Sequence, residues 1–126
     1  RILPGSIMRS RGHAPIMEEF QVSAKFREFG DYLARMFEAV GFQFNDLAKN
    51  SVAARVEANT RVIVQYQLTP DGDVNDLLVR YTDAGRAATL IARDAIQSPA
   101  PFGQWSSEMI ANLKDEETVT ITFLYL

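Results

Sequence analysis

The chain has 126 residues, 47% of them hydrophobic, and a formal net charge of −3. This length and composition predict one domain with a proper core, and the negative charge argues against a nucleic-acid-binding surface, which needs a basic patch. The absence of cysteine excludes disulfides, thiol catalysis and thiolate metal sites, and no apolar run reaches the roughly 18 residues of a membrane span.

The first segment, residues 1–17, is predicted to be an extended arm or linker end that precedes a domain over residues 18–126. It contains two prolines, two glycines and no acid, and its three arginines give it a formal charge of +3. A poorly ordered terminus is one interpretation, and docking of Ile2–Met8 on the domain or on a neighbour is the other. Because the chain starts with Arg1 and not with methionine, we expect it to be part of a longer protein whose anchor lies upstream.

The longest helical signal runs over Glu18–Ala48. Apolar residues recur there mostly at steps of three and four, which predicts a helix with one apolar face. They are Val22, Phe26, Phe29, Leu33, Met36, Phe37, Val40, Phe44 and Leu47. We interpret this aromatic row as core and not as a ligand box. Residues 50–59 fit either a helix tail or a loop.

A β-hairpin is predicted over Thr60–Thr82. On its first arm, Val62–Leu68 carries apolar side chains on the even positions, a period of two that is typical of a half-buried strand. Pro70–Gly72 forms the turn, since proline presets φ and glycine accepts a positive φ. The second arm starts at Val74 either late or, as we prefer, with a bulge near Asn75–Asp76. Its inward residues are then Leu77, Val79 and Tyr81.

A second helix follows the hairpin, capped by Thr82 or Asp83 and stopped by Pro99. Its inward face is formed by Ala88, Ile91, Ala92 and Ala95. After a loop with large apolar anchors, Ser106 caps a short helical turn. The inward residues of that turn are Met109, Ile110 and Leu113.

The C-terminal stretch Thr118–Leu126 is the clearest strand, because β-branched and aromatic residues alternate along it. The chain order is therefore α-β-β-α-β. It predicts an α+β fold with two helices packed on one face of a three-stranded antiparallel sheet. The last strand pairs with the first hairpin arm and forms an edge with open backbone groups.

Side chains suited to catalysis are sparse. His13, the only histidine, lies in the arm and is interpreted as solvated. Asp71 and Asp73 flank the turn glycine without continuing into a calcium loop, and Asp115–Glu117 is interpreted as a solvated acidic turn. Ser106 and its neighbour lack a nucleophile-elbow pattern, and no glycine-rich phosphate loop is present. We expect no enzyme, no cofactor and no metal site.

The sequence resembles the C-terminal domain of TonB in the run VIVQYQLTPDGDVNDLLVRYTDAG, the alanine-rich helix, the Pro101–Phe102 loop and the alternating last strand. The C-terminal domain of TolA has a similar layout. The resemblance covers Phe26–Leu126. It departs at Thr82–Gly85, where relatives often have Ser-Ser-Gly, and at Thr89, where an aspartate is common.

The resemblance implies a non-enzymatic periplasmic domain at the end of an inner-membrane anchor and a long linker. Such domains grip a short segment of an outer-membrane receptor, largely by strand addition. They transmit force from a proton-motive complex of the inner membrane. The alternative is a structural or assembly module of the cell envelope with the same fold, which self-associates through its edge strand.

We predict the partner site on the edge of the last strand, which lacks the proline, lysine and bulge signals that protect exposed edges. Three occupants are considered: a receptor peptide, a second copy that forms a homodimer, and the chain's own Ile2–Met8. The site residues are Thr118, Val119, Thr120, Ile121, Thr122, Phe123 and Leu124.

Overall fold

The computed structural model describes residues 16–50 and 59–126. This part of the chain contains four strands and four helices, so the fold is mixed helix and sheet, as predicted. In chain order they are β1 (Ile16–Gln21), α1 (Ala24–Arg27), α2 (Gly30–Asn50), β2 (Thr60–Leu68), β3 (Val74–Thr82), α3 (Gly85–Gln97), α4 (Ser107–Asn112) and β4 (Glu117–Tyr125). No helix among these residues is long and apolar enough to cross a membrane.

The strands form one antiparallel sheet in the order β1-β4-β2-β3. β4 pairs with β2 from Leu68 opposite Glu117 to Thr60 opposite Tyr125, without a change of register. The predicted order of the hairpin arms and the last strand is therefore confirmed. The prediction of three strands was wrong, because β1 adds a fourth strand along β4.

β1 was assigned in part to the arm and in part to the first helix, and its buried residues explain why. Met17 opposes Phe123 and Phe20 opposes Ile121, while Glu18 is an extra residue where the register shifts. A bulge places two residues of one strand opposite one of its partner. Inward side chains of β1 are therefore three positions apart, which is the spacing of a helix face and not of a regular strand.

The first helical region begins only after β1. Ser23 caps α1, and its hydroxyl accepts a hydrogen bond from the backbone N–H of Phe26 at 3.1 Å. The chain breaks helical geometry after Arg27 and resumes it at Gly30, so that glycine begins α2 and does not interrupt it. The apolar face predicted for this region is buried from Leu33 to Phe44.

The hairpin has the predicted turn and the predicted bulge. Gly72 has φ +85° and Asp76 has φ +53°, and the register of β2 against β3 shifts between Gln65 and Gln67. A second shift between Ile63 and Val64 was not predicted. It turns Tyr81 to the face opposite the helices, so the expectation that Tyr81 points inward was wrong.

The core lies between one face of the sheet and the long helices. Phe44 of α2 lies 4.5 Å from Phe123 of β4 between ring centroids, and the Tyr125 hydroxyl donates to the carbonyl of Ala88 in α3 at 2.8 Å. The predicted inward residues of α3 are all buried. In α4, Met109 is buried as predicted, but Ile110 is 57% exposed and was wrongly placed.

The predicted side-chain cap of α3 was also wrong. Ala84 occupies the N-cap position and provides no side-chain bond. The Thr82 hydroxyl accepts instead from the N–H of Ala84 at 3.1 Å, and the Asp83 carboxylate accepts from the N–H of Arg61 at 2.8 Å. The Asp83 side chain thus secures the end of β3 against β2, whereas the Thr82 hydroxyl also contacts the helix, since it lies 2.7 Å from the Thr89 hydroxyl of α3.

Candidate partner-binding site

The seven predicted site residues lie in β4 and alternate between the two faces of the sheet. Val119, Ile121 and Phe123 are fully buried in the core. Thr118, Thr120, Thr122 and Leu124 lie on the opposite face, which we call the outer face. This division agrees with the predicted alternation. The role of these residues in partner binding stays a prediction.

The edge of β4 is not open over most of this stretch, and that part of the prediction was wrong. β1 pairs with it from Ile16 opposite Leu124 to Gln21 opposite Thr120. The chain thus places one of its own segments on the edge predicted for a partner. That segment is β1 and not Ile2–Met8, which lies outside the described residues.

β1 pairs with the edge of β4 and is held there by two inward side chains. We call this edge, together with the two positions that the side chains occupy, the strand seat. Met17 is fully buried opposite Phe123. Phe20 is half-buried opposite Ile121, and its ring centroid lies 3.8 Å from that of Phe37. The seat therefore consists of a backbone edge and two apolar positions.

An open cleft of about 350 Å³ lies where β1 ends and β4 continues. Its walls are Gln21, Val22, Ser23, Lys114, Glu116, Glu117, Thr118 and Thr120. The carboxylate of Glu117 accepts from the Ser23 hydroxyl at 2.9 Å and from the N–H of Lys114 at 3.2 Å. Asp115 and Glu116 are exposed as predicted, but Glu117 is only 4% exposed. Its assignment to a solvated turn was therefore wrong.

The outer face carries a row of hydrogen-bonded polar side chains across β3, β2 and β4. The Thr118 hydroxyl donates to Gln67 at 3.0 Å, and Gln65 donates to the Thr120 hydroxyl at 3.2 Å. The Arg80 guanidinium donates to the side-chain amide oxygen of Gln65 at 3.2 Å. These pairs align the strands at the end of the sheet next to the cleft.

Both outermost strands of the described sheet carry features that oppose further pairing. On β1, Glu18 is an extra residue, and both it and Glu19 are exposed. β3 has two register shifts against β2, with Asp76 at a positive φ in one of them. Bulges and charges of this kind protect edge strands from adding another strand. β4 has no extra residue in either of its pairings.

The shifted pKa values among the described residues are explained by hydrogen bonds at the end of β3 and by burial in the core. The hydrogen bond from the Arg61 N–H lowers the pKa of Asp83, and the hydrogen bond to Asp83 raises that of Tyr81. Burial raises the pKa of Tyr32 to about 12 and raises those of Tyr66 and Tyr125 as well. These tyrosines lie in the core.

Among residues 16–50 and 59–126, no group of three or more histidine, aspartate or glutamate side chains is arranged to hold a metal ion. Asp71 and Asp73 lie in the hairpin turn, where the backbone N–H of Asp73 donates to the Thr69 hydroxyl at 3.1 Å. Ser106 is an N-cap that accepts from the N–H of Met109 at 3.1 Å. His13 lies outside these residues.

No protein-family model, no curated protein and no solved structure matches this chain. The functional argument therefore depends on the geometry of β4 and its neighbours. The sequence-based prediction located the strand concerned and its inward residues. It missed β1, where the local signal was a pair of glutamates, Glu18 and Glu19, between the apolar residues Met17 and Phe20.

Proposed function

We propose that this chain is a non-enzymatic periplasmic domain that binds an extended segment of an outer-membrane receptor by strand addition on the β4 side of its sheet. One observation carries the proposal: β4 accepts an extended segment, Ile16–Gln21, along its Thr120–Leu124 edge. The resemblance to the TonB C-terminal domain supplies the identity of the partner and the task of transmitting force.

The geometry supports binding of this kind for two reasons. Backbone pairing along a strand supplies affinity with little dependence on sequence, while inward pockets select side chains. β4 lies in the middle of the sheet and packs through Phe123 on Phe44 of α2. A segment held on β4 is therefore attached to a strand whose inward side chains are fully buried in the core, which suits a contact that transmits force.

The proposal is tested with synthetic peptides that correspond to short segments of outer-membrane receptors. We expect at least one to bind and to change hydrogen exchange in Ile16–Gln21 and in Thr118–Leu124. The matched control is the same peptide with one central residue replaced by proline, which removes a backbone donor. Its affinity should fall at least tenfold.

Two results would contradict the proposal. One is the absence of binding by every peptide at millimolar concentration. The other is binding that alters exchange only in α2 and α3 and is insensitive to the proline. Sedimentation of the chain alone is measured in parallel, because a stable dimer without peptide would favour the assembly module instead.

A further inference from the structure

We infer that β1 is a built-in occupant of the strand seat, and that a partner segment binds by replacing β1 on β4. The matching segment has an apolar residue opposite Phe123, then two residues that point away from the core, then a second apolar residue opposite Ile121. This inference rests on the proposed function and specifies both the kind of partner segment and the step that limits its binding.

The pattern of the segment follows from how β1 fits. Met17 is fully buried and Phe20 lies against Phe37, whereas Glu18 and Glu19 between them are exposed. The extra residue of the bulge makes this spacing of three compatible with two positions of β4 that are two apart. A segment without the bulge would present its second apolar residue to the outer face.

A comparison of three strand edges favours replacement of β1 over addition of a strand beyond it. These are the outer edge of β1, the outer edge of β3 and the edge of β4 that β1 covers. The outer edge of β1 carries a bulge and two exposed glutamates, and β3 carries two register shifts. β4 pairs with β2 in one unbroken register and contributes no extra residue toward β1. Within the described sheet, the one regular edge is therefore the edge that β1 covers.

The connection of β1 to the domain allows it to leave without unfolding the rest. Ser23 is held to the body on two sides, since its hydroxyl donates to Glu117 and accepts from the N–H of Phe26 in α1. β1 ends two residues earlier, at Gln21, beside the open cleft. Val22 is thus a hinge next to an anchored residue, and the cleft leaves room for its movement.

The exchange replaces one backbone ladder by another and two apolar side chains by two others. The equilibrium between bound β1 and bound partner segment depends on the covalent attachment of β1, which acts at an effective concentration on the order of millimolar. Competition of this kind reduces the apparent affinity to the intrinsic affinity multiplied by the fraction of time that the seat is open. We therefore expect wild-type binding to be weak and binding to rise when β1 is weakened.

The test uses the full chain and, as probe, a synthetic peptide with the sequence of Ile16–Gln21, IMEEFQ. Because the chain has no cysteine, a disulfide can lock β1 in place through Gln21→Cys with Thr120→Cys, which are direct partners. The matched control lock is Ile63→Cys with Tyr81→Cys, which are direct partners that join β2 to β3 and lie outside the strand seat. Met17→Ser with Phe20→Ser weakens β1 itself.

We expect the peptide to bind the weakened chain at least tenfold more tightly than the wild type. It should not bind the oxidised 21–120 lock, and reduction should restore wild-type affinity. The oxidised 63–81 lock should behave as the wild type does. If the weakened chain does not fold, Phe20→Ala alone takes its place under the same criterion.

Equal binding to the oxidised 21–120 lock and to the wild type overturns the inference, as does a weakened chain with no gain in affinity. The two proposals fail in different ways. A receptor peptide that binds the oxidised lock as well as the reduced chain leaves strand addition standing and removes replacement. Binding of the IMEEFQ peptide with no receptor peptide bound supports the seat and removes the proposed function.

Discussion

Gly72→Ala tests how the hairpin turn is attached to the rest of the domain. Gly72 has φ +85°, a conformation that residues with a side chain adopt at a cost. An added Cβ would also lie 2.5 Å from the carbonyl oxygen and 2.6 Å from the nitrogen of Gly103. Both are backbone atoms, so the clash can be relieved only by moving the loop that contains Gly103.

That movement breaks hydrogen bonds as well as contacts. The N–H of Phe102 donates to the Gly72 carbonyl at 2.9 Å, and that of Trp105 donates to the Pro70 carbonyl at 2.8 Å. Strained φ costs about 1–2 kcal/mol, and two lost hydrogen bonds cost about 0.5–1.5 kcal/mol each. We therefore expect Gly72→Ala to lower the free energy of unfolding by about 2–5 kcal/mol, and Gly72→Val by more.

Gly85→Ala is the matched control. Gly85 has φ +82°, close to that of Gly72, but an added Cβ there meets nothing within 4 Å. Alanine at Gly85 therefore pays the strain of a positive φ without a clash, and its cost should stay at about 1–2 kcal/mol. The difference between the two variants measures the contact with Gly103.

The assay is urea denaturation followed by fluorescence of Trp105, the single tryptophan. It lies on the loop concerned and is 5% exposed, so its emission should shift to the red in folded Gly72→Ala but not in Gly85→Ala. Equal destabilisation by the two substitutions, with unchanged emission, would refute the argument. It would show that only φ strain acts at Gly72.

Three further predictions concern the core, the alkaline limit and the cleft. Phe37→Ala should lower the free energy of unfolding by about 3–5 kcal/mol, the range for a buried phenylalanine, and an unchanged urea midpoint would show that Phe37 is not core. Stability should be full below pH 10 and fall as pH rises toward about 12, because Tyr32 and Tyr66 keep their protons in the folded state after the unfolded state has lost them. The slope is about 1.4 kcal/mol per pH unit for each tyrosine, and Tyr66→Phe should reduce it in a pH series of urea titrations. Glu117→Ala should cost about 1–3 kcal/mol through the donors it leaves without a partner, whereas exposed Asp115→Ala should stay within about 0.5 kcal/mol; equal urea midpoints would contradict this.

The sequence by itself determined those strands and helices in which buried residues recur at the regular spacing of a strand or of a helix. The alternation of Thr118–Leu126 and of Val62–Leu68 indicated which side chains face inward, because each neighbour in a strand points to the opposite face. The apolar face of α2 and the alanine face of α3 followed from helical spacing in the same way. The turn at Gly72 followed from a residue that tolerates a positive φ. The bulge near Asp76 followed from the polar pair that interrupts the apolar alternation after Val74.

The tertiary structure alone decided which strand forms the edge of the sheet. Whether a strand is an edge depends on pairing with a distant segment, and Ile16 and Leu124 are separated by almost the whole chain. In β1, the bulge at Glu18 changes the inward spacing from two to three, so the local pattern matches a helix although the backbone is extended. Period and propensity carry no information about such a partner, and pairing with β4 therefore overrode the helical signal of this stretch.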